Sequence, residues 1–527
     1  VQKEASRDSA WAPLALPVFR VLWLAQLGSN IGVWMQTVGA QWFLVEQTHS
    51  SALVAWVQTA SLLPVLLLSL LAGVLADAYD RRILLLATTT VSTVAAAVLT
   101  LITATGNLQP WSLLLMTFLI GCGTALTAPA WQAIQPELVP RNQLTAAASL
   151  GSVTINGARA VGPAIGGVLV ALGGPALVFG LNAISFAGVI TALATWQRPP
   201  QKGLDHRERL FPALAAGLRY VKSGDIIRRI LLRSALFAFP ACALWALLPS
   251  AARTHLGLGA SGYGILLGIL GVGALIGVAV VPYLRRTFSS SVILAGSAAA
   301  FALGTVSIAL WPFAIVCALF VVSGIAWIAT LTTLNAAMQL SLAHWVRARG
   351  MSIYLLVFMG SQAIGSFVWG ALSTTVGETV ALLTAAGALV VVALTVTILP
   401  LRAGTGTLDR DVVALCAAAP ILIFEPQPDD GPVSVVFNYH VAPDHSEAFV
   451  AAMRAVAKSR RRTGATSWRL ERSGEEAGLF REEFTVRSWD EFQRQGTDRW
   501  TRSDQDTHER AMALAQQAPG ETHYFPV

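Results

Sequence analysis

Between about Val18 and Pro400 the chain alternates long apolar runs with short polar loops. A helix needs about 20 apolar residues to cross the hydrocarbon core of a bilayer. Twelve runs meet that length, near 18–43, 52–76, 83–105, 111–135, 144–172, 175–196, 230–252, 262–284, 290–310, 313–340, 350–374 and 378–400. The loops between them alternate in charge. One set carries Arg81 and Arg82, then Arg141, a long stretch from Arg198 to Arg229, Arg285 and Arg286, and finally Arg347 and Arg349. The other set, around Thr48, Asn107, Gly174, Pro312 and Gly377, has no Lys or Arg, and only Arg253 departs from the pattern. Basic loops stay on the cytoplasmic side. The pattern therefore predicts a multi-pass protein of the plasma (inner) membrane with both termini cytoplasmic. The first apolar run is too long for a cleaved leader and lacks a small-residue cleavage site, so it is expected to remain as a span.

The loop at 197–229 is the longest of the apolar region and divides the spans six and six, into halves at about 12–196 and 230–400. Two such halves suggest parallel repeats around a site near the bilayer midplane. Within the loop, Leu210–Val221 is amphipathic and is expected to lie on the membrane surface. A linker follows at 401–432, in which Ala414–Phe424 is apolar but too short to span. From Pro432 the period changes. Val433, Val435, Phe437, Tyr439 and Val441 alternate as a half-buried strand, and Phe449, Met453 and Val456 share one face of a helix from Pro443 to Arg462. Strands near Thr466–Arg472 and Leu479–Val486, helical stretches near Ser488–Gln495 and Thr501–Gln517, and a last strand at Thr522–Phe525 complete a β-α-β-β-α-β order. That order is the ferredoxin-like plan. The fold class predicted is thus an all-α polytopic membrane protein of twelve transmembrane helices with a small α+β ferredoxin-like soluble domain at 433–527, on the cytoplasmic side.

Composition agrees: 54% of residues are hydrophobic and 12% charged, against about a quarter charged in a soluble domain, and the mean hydropathy is +0.60. The net charge is +7, yet residues 433–527 hold 13 Lys/Arg against 14 Asp/Glu. The positive surplus lies in the membrane region, where it reports orientation rather than nucleic-acid binding. Cys122, Cys242, Cys317 and Cys416 show neither CxxC nor metal spacing and read as small packing residues. No metal and no cofactor is expected.

Two motifs carry chemistry. Gly73-Val-Leu-Ala-Asp77-Ala-Tyr-Asp80-Arg81-Arg82 joins the second and third spans. It resembles the signature loop of the major facilitator superfamily, with Asp80 where the family usually has glycine. The resemblance implies a conformational gate formed by Gly73, Asp77, Arg81 and Arg82, in which the carboxylate holds the two halves shut on the cytoplasmic side. The matching stretch of the second half, Gly277 to Arg286, lacks the acid. The fifth span contains Gly157-Ala-Arg159-Ala-Val-Gly162-Pro163-Ala-Ile-Gly166-Gly167, which resembles the motif that marks exporters and antiporters of that superfamily. Gly162, Pro163, Gly166 and Gly167 there allow close helix packing and a bend.

Arg159 is the one basic residue that this reading places deep within a span, where an unpaired charge costs several kcal/mol. Thr145, Ser149, Ser152, Asn156, Arg159 and Pro163 fall within a sector of about 80° at 100° per residue. Gln26, Asn30, Trp34, Thr37 and Gln41 form a similar stripe in the first span, and Thr117, Gly121, Thr124, Gln132 and Gln135 align in the fourth. In the second half Asn335 and Gln339, and Gln362 and Ser366, sit one turn apart. Such stripes describe a cavity lined by amides, hydroxyls and indole, suited to a bulky amphipathic solute. The predicted substrate path comprises Gln26, Asn30, Trp34, Thr37, Gln41, Thr124, Asn156, Arg159, Asn335, Gln339 and Gln362. No Asp or Glu lies near mid-membrane: Glu46 and Glu378 fall at outer ends, Asp77 and Glu137 at cytoplasmic ones. Proton coupling is therefore implied by the resemblance alone.

Together with Ala128–Pro140 and the Arg347-Ala-Arg349-Gly350 turn, the chain resembles the enterobactin-exporter-like branch of the superfamily and its transmembrane secretion effectors. The resemblance implies a secondary active transporter that exports a siderophore- or drug-like small molecule by alternating access, with the lipid bilayer and protons as its other partners. Residues 433–527 resemble antibiotic-biosynthesis-monooxygenase domains, which implies self-association through that domain. The alternative is a transporter fused to a cofactor-free monooxygenase-like enzyme, with Asn438, His440, Trp468 and Glu482 facing outward into a pocket. The run Lys458-Ser-Arg460-Arg461-Arg462 reads as a solvated helix end.

Overall fold

The computed structural model describes residues 11–526 apart from 49, 197–217, 403–404, 406–407, 414–421 and 518–519. Most of the amphipathic stretch predicted at Leu210–Val221 and of the apolar segment at Ala414–Phe424 therefore lies outside the described residues. The helices of the apolar region are α1 (Pro17–Gln47), α2 (Ser51–Ala78), α3 (Arg81–Ala104), α4 (Pro110–Leu138), α5 (Leu144–Thr195), α6 (Asp225–Thr254), α7 (Ala260–Thr287), α8 (Ser290–Leu310), α9 (Phe313–Ser341), α10 (Arg347–Val376) and α11 (Glu378–Leu394).

Their ends follow from local chemistry. The side chains of Ser50, Asp80 and Ser289 accept hydrogen bonds from backbone N–H groups in the first turns of α2, α3 and α8, which meets donors left unpaired at a helix start. Asp80, the departure from the family loop, is thus an N-cap. Gly174 bends the 52-residue α5 into two arms, with φ at +72° before Pro175, a left-handed conformation natural to glycine. Among the described residues nine helices are long and apolar enough to cross a membrane. Large apolar side chains stand exposed along them, including Leu101, Leu172, Ile184, Val278 and Leu310. An apolar exterior on this scale calls for an apolar surrounding.

The chain divides into two compact units, Val1–Gly203 with Arg233–Thr333 and Leu355–Pro400, and Leu204–Leu232 with Leu334–Tyr354 and Leu401–Val527. In the first unit α5 packs along α1, α3 and α7, α4 packs against α2 and α3, and α8 against α11.

The second unit contains a four-stranded antiparallel sheet of β1 (Val433–His440), β2 (Ser467–Arg472), β3 (Leu479–Val486) and β4 (Gly520–Tyr524), in the order β2-β3-β1-β4. Its helices are α12 (Ser446–Thr463), α13 (Trp489–Arg494) and α14 (Arg502–Met512). The last helix ends earlier than periodicity suggested. Phe437, Tyr439, Phe449, Met453, Phe480 and Phe484 fill the core between sheet and helices. Part of the predicted linker belongs to this unit: Val413 N donates to Trp500 O at 2.8 Å, and Arg410 Nη1 donates to Ser503 Oγ at 2.9 Å.

Candidate substrate path and seam

The helices of the first unit run between two ends, a basic face at the loops bearing Arg81, Arg141 and Arg285, and a neutral face at the loops near Thr48, Asn107 and Gly377. The described bonds that join α1–α5 to α6–α11 lie from mid-depth to the neutral face. Gly167 and Gly264 meet backbone to backbone. A methyl group on Gly167 would lie 2.6 Å from Ala260 O and 2.9 Å from Gly264 Cα, and one on Gly271 would lie 2.4 Å from Ala160 Cα. The exporter-type glycines thus let α5 cross α7 of the other half. Gly162 and Gly166 do the same for α1, where a methyl would strike Trp34 Cβ at 2.7 Å and Met35 Cα at 2.8 Å.

Polar groups close the same seam. Tyr263 Oη donates to Gln41 Oε1 at 2.6 Å, Gln41 Nε2 reaches Trp245 O at 3.5 Å, and Ser51 and Ser373 share a bond of 2.6 Å. Thr59 Oγ1 donates to Ala363 O at 3.2 Å. Arg253 Nη1 donates to Val45 O at 2.9 Å, so the one basic residue that broke the charge pattern ties α6 to the end of α1.

At the basic face the described bonds of the signature loop run within the first half. Arg81 Nη1 pairs with Glu137 Oε1 at 2.8 Å, and Arg82 donates to Leu193 O at 2.9 Å and to Ala194 O at 2.8 Å. Gly73 and Asp77 lie in the last turns of α2, and their side chains fall outside the described residues.

The path residues divide by what they bond. Asn30, Thr37, Thr124 and Asn156 each donate to the carbonyl four residues earlier in their own helix, at 2.7, 2.9, 3.0 and 2.9 Å; for Asn30 that carbonyl belongs to Gln26. Gln339 Nε2 donates to Asn335 Oδ1 at 2.5 Å, and Gln362 is buried with Nε2 3.8 Å from Met359 Sδ. Trp34 and Arg159 come together, while Gln41 bonds Trp245 and Tyr263 across the seam. Arg159 lies over the Trp34 ring at 5.7 Å, while its Nε and Nη1 are buried with no hydrogen-bond partner among the described residues.

Two tryptophans extend this group across the seam. Trp245 lies 6.2 Å from Trp34, and Trp327 lies 5.5 Å from Trp245, edge to face. Phe237, Phe301 and Phe358 surround Trp327 at 5.7 to 5.9 Å. Sequence reasoning passed over Trp245, whose neighbours at helical spacing are apolar, and Trp327, which has only the small hydroxyls of Ser323 and Thr330 at that spacing.

Arg159 is also not the only deep cation. Arg233 is 3% exposed and donates to Val392 O at 3.2 Å and to the Thr395 and Leu399 carbonyls. It caps the carbonyl end of α11, where a cation meets unpaired acceptors and the negative pole of the helix. Its need is met in a way that Arg159's is not.

In the second unit the basic run at 458–462 is split: Lys458 and Arg461 are exposed, as a solvated helix end requires, whereas Arg460 and Arg462 turn into the interior. Arg460 lies over Phe437, Phe484 and Trp500 at 5.2, 4.4 and 5.1 Å. Arg462 pairs with buried Asp504, and Lys458 Nζ lies 2.5 Å from Asp225 Oδ2. Burial raises the Asp504 carboxyl, but Arg462 and the Thr501 hydroxyl outweigh it and hold it below the usual range. Glu491 accepts from Arg499 at 2.6 and 3.0 Å and from Arg219 at 3.0 Å. Arg499 also covers Trp345 at 4.8 Å, and Trp345 meets the Tyr220 ring edge to face at 5.6 Å. The domain is therefore bonded to residues 219–225 and to the turn between α9 and α10.

The expected outward pocket is half overturned. Asn438 and His440 are exposed, whereas Glu482 is fully buried and accepts from Tyr439 Oη at 2.6 Å and Trp468 Nε1 at 2.8 Å. Burial together with the Glu482 charge pushes the Tyr439 phenol upward.

Comparison with known proteins agrees with this architecture. A solved nucleoside transporter superposes with a TM-score of 0.60 at 14% identity, covering 73% of this chain and 99% of its own. A bacterial homologue of the iron transporter ferroportin, in an inward-facing state, gives 0.56 at 17% identity, covering 73% and 99%. The staphyloferrin A transporter of Staphylococcus aureus is 36% identical over 27% of this chain and 36% of its own length. The enterobactin exporter of Salmonella choleraesuis is 30% identical over 50% and 62%, and macrolide efflux protein A of Streptococcus pyogenes is 28% identical over 33% and 42%. The chain thus matches between about a third and two thirds of these relatives' length. The family model described as transmembrane secretion effector matches residues 8–524, and the chain belongs to that family of the major facilitator superfamily.

Proposed function

We propose that the protein is a secondary active exporter of a bulky amphipathic small molecule, siderophore- or drug-like, that works by alternating access. The observation that carries this reading is the glycine-to-glycine crossing of α5 and α7 at Gly167 and Gly264. Two halves in backbone contact over part of their depth, joined further by hydrogen bonds and aromatic contacts that can part without breaking the chain, are built to rock rather than to stay fixed. With basic loops cytoplasmic, both termini lie inside and the closed seam faces outward, so the form described is inward-open.

The nine long apolar helices, with α5 counted as its two arms, together with α1 and the shorter α11 account for twelve spans. Gly73, Asp77, Arg81 and Arg82 form the cytoplasmic gate, with Arg81 and Arg82 stiffening the first half against which it closes. Gln26, Asn30, Trp34, Thr37, Gln41, Thr124, Asn156, Arg159, Asn335, Gln339 and Gln362 line the solute path, and protons couple transport. The ferredoxin-like domain at 433–527 is cytoplasmic and offers a surface for self-association. Its Glu482 and Trp468 hydrogen-bond to each other in the core, which favours a scaffolding part over a catalytic one.

The test is uptake into inverted membrane vesicles with a panel of anionic, neutral and cationic amphiphiles, with and without a proton gradient. Gradient-dependent accumulation of at least one class is expected. Uptake equal to that of vesicles lacking the protein, for every class, overturns the proposal.

A further inference from the structure

We propose that Trp34 and Arg159 of the first half and Trp245 and Trp327 of the second form one recognition subsite for a planar aromatic anion with oxygen acceptors on its ring. This inference rests on the export reading and gives it a substrate class. The four side chains form a connected chain: Arg159 over Trp34 at 5.7 Å, Trp34 to Trp245 at 6.2 Å, Trp245 to Trp327 at 5.5 Å. Each belongs to the middle stretch or inner turns of a spanning helix, α1, α5, α6 and α9.

What this group lacks is an acceptor. Arg159 Nε and Nη1, Trp245 Nε1 and Trp327 Nε1 are buried with no hydrogen-bond partner among the described residues. Trp245 and Trp327 are 8% and 4% exposed. A guanidinium and an indole can only donate. Buried polar groups in native proteins overwhelmingly find partners, so four open donors within one aromatic cluster mark a place where an oxygen-bearing ligand completes the bonding.

The rings narrow the class further. Indole faces and the guanidinium plane favour a flat π-system. The charge of Arg159 favours an anion and disfavours a lipophilic cation. A carboxylate or phenolate oxygen accepts charge-assisted bonds from Arg159 and direct bonds from the indoles. Gln41 is a positioning residue here. Its amide holds the Trp245 carbonyl on one side and the Tyr263 hydroxyl on the other. Because two donors come from each half, a bound ring bridges the halves, and its affinity depends on how they stand to each other. A ligand with that property shifts the equilibrium between open and closed forms.

The experiment is equilibrium binding of radiolabelled salicylate to the full chain in nanodiscs, with three competitors: cyclohexanecarboxylate (anion without π-face), benzamide (ring without charge) and benzyltrimethylammonium (ring with positive charge). Salicylate is expected to bind saturably and each competitor at least 10-fold more weakly. Trp245→Phe with Trp327→Phe keeps both rings and removes both N–H donors, and should weaken binding about 10-fold. Arg159→Gln should weaken it more, and Arg159→Lys should restore part of the loss. No saturable salicylate binding by the wild type, an unchanged affinity in the double Phe variant, or equal competition by benzyltrimethylammonium each overturns the subsite. Vesicle uptake of the solute panel keeps the two readings apart. Wild-type uptake of some class together with one of those binding results sinks the subsite and leaves the exporter standing, whereas selective salicylate binding without any uptake sinks the exporter alone.

Discussion

Replacing Gly167 by alanine tests whether the α5–α7 crossing is a moving seam. The added methyl would stand 2.6 Å from Ala260 O and 2.9 Å from Gly264 Cα, both backbone atoms that no rotamer change can remove. Ordinary contact begins at 3.4 Å, so the helices must part by roughly 0.8 Å. Overpacking of this kind costs about 1–3 kcal/mol. The cost falls on the state in which the seam is closed, and at about 1.4 kcal/mol per factor of ten it should move the equilibrium toward seam-open forms by ~5- to 150-fold. Gly188→Ala is the control, since a methyl there meets nothing within 4 Å. The assay is labelling of Ser51→Cys, whose hydroxyl bonds Ser373 across the seam, by a membrane-impermeant maleimide in a background without other cysteines. Labelling should rise and export fall in Gly167→Ala, while Gly188→Ala behaves as the parent. Unchanged labelling with full export would mean that the crossing is a fixed packing contact, and the rocking argument would fail.

Four further outcomes follow from named groups. Asp77→Asn should abolish net export at normal expression, because the gate loses its carboxylate; wild-type turnover in vesicles would remove that role. Glu491→Ala leaves Arg219 and Arg499 without their shared acid, and breaking such a buried pair costs about 3 kcal/mol or more, so thermal unfolding of the full chain should shift clearly downward; deletion of 433–527 should expose Trp345 and Tyr220 and cost stability while the spans still insert, and an unshifted melting curve for either variant would contradict the network. Burial, reinforced by the Arg460 charge, lowers His508 to about 4, against about 6.5 when unfolded. A depressed pKa stabilises the fold above the unfolded value, so up to about 3 kcal/mol should be lost as pH falls from 6.5 to 4. Hydrogen exchange across 433–527 should show this loosening, and His508→Asn should flatten it; an identical pH profile in the variant would refute the assignment.

Much of the fold was legible because a bilayer imposes a length and a charge asymmetry that sequence cannot hide, and because a half-buried strand alternates. The glycine motif was legible for a related reason, since only glycine permits the backbone approach seen at Gly167 and Gly264. The misreadings share a cause: residue type was allowed to outweigh position. Glu482 lies two residues from Phe480 and from Phe484 on β3, and that parity puts it on the core face, yet its charge suggested an outward pocket. Arg460, within the otherwise partly exposed run from Lys458 to Arg462, looked solvated for the same reason, although Arg460 and Thr463 follow Val456 at helical spacing and are buried with it. Trp245 and Trp327 stood outside the polar stripes altogether, although each indole carries one donor. Arg233 was missed because its acceptors, at Val392, Thr395 and Leu399, lie about 160 residues away. Parity and spacing determine which way a side chain points, but only the fold determines whether a partner waits there. Arg159 and Arg233 make the distinction: both are arginines in a predicted span, Arg233 closes a helix end, and Arg159 keeps two nitrogens open over Trp34, the first of three indoles in a row. The open one is where a solute has bonds left to make.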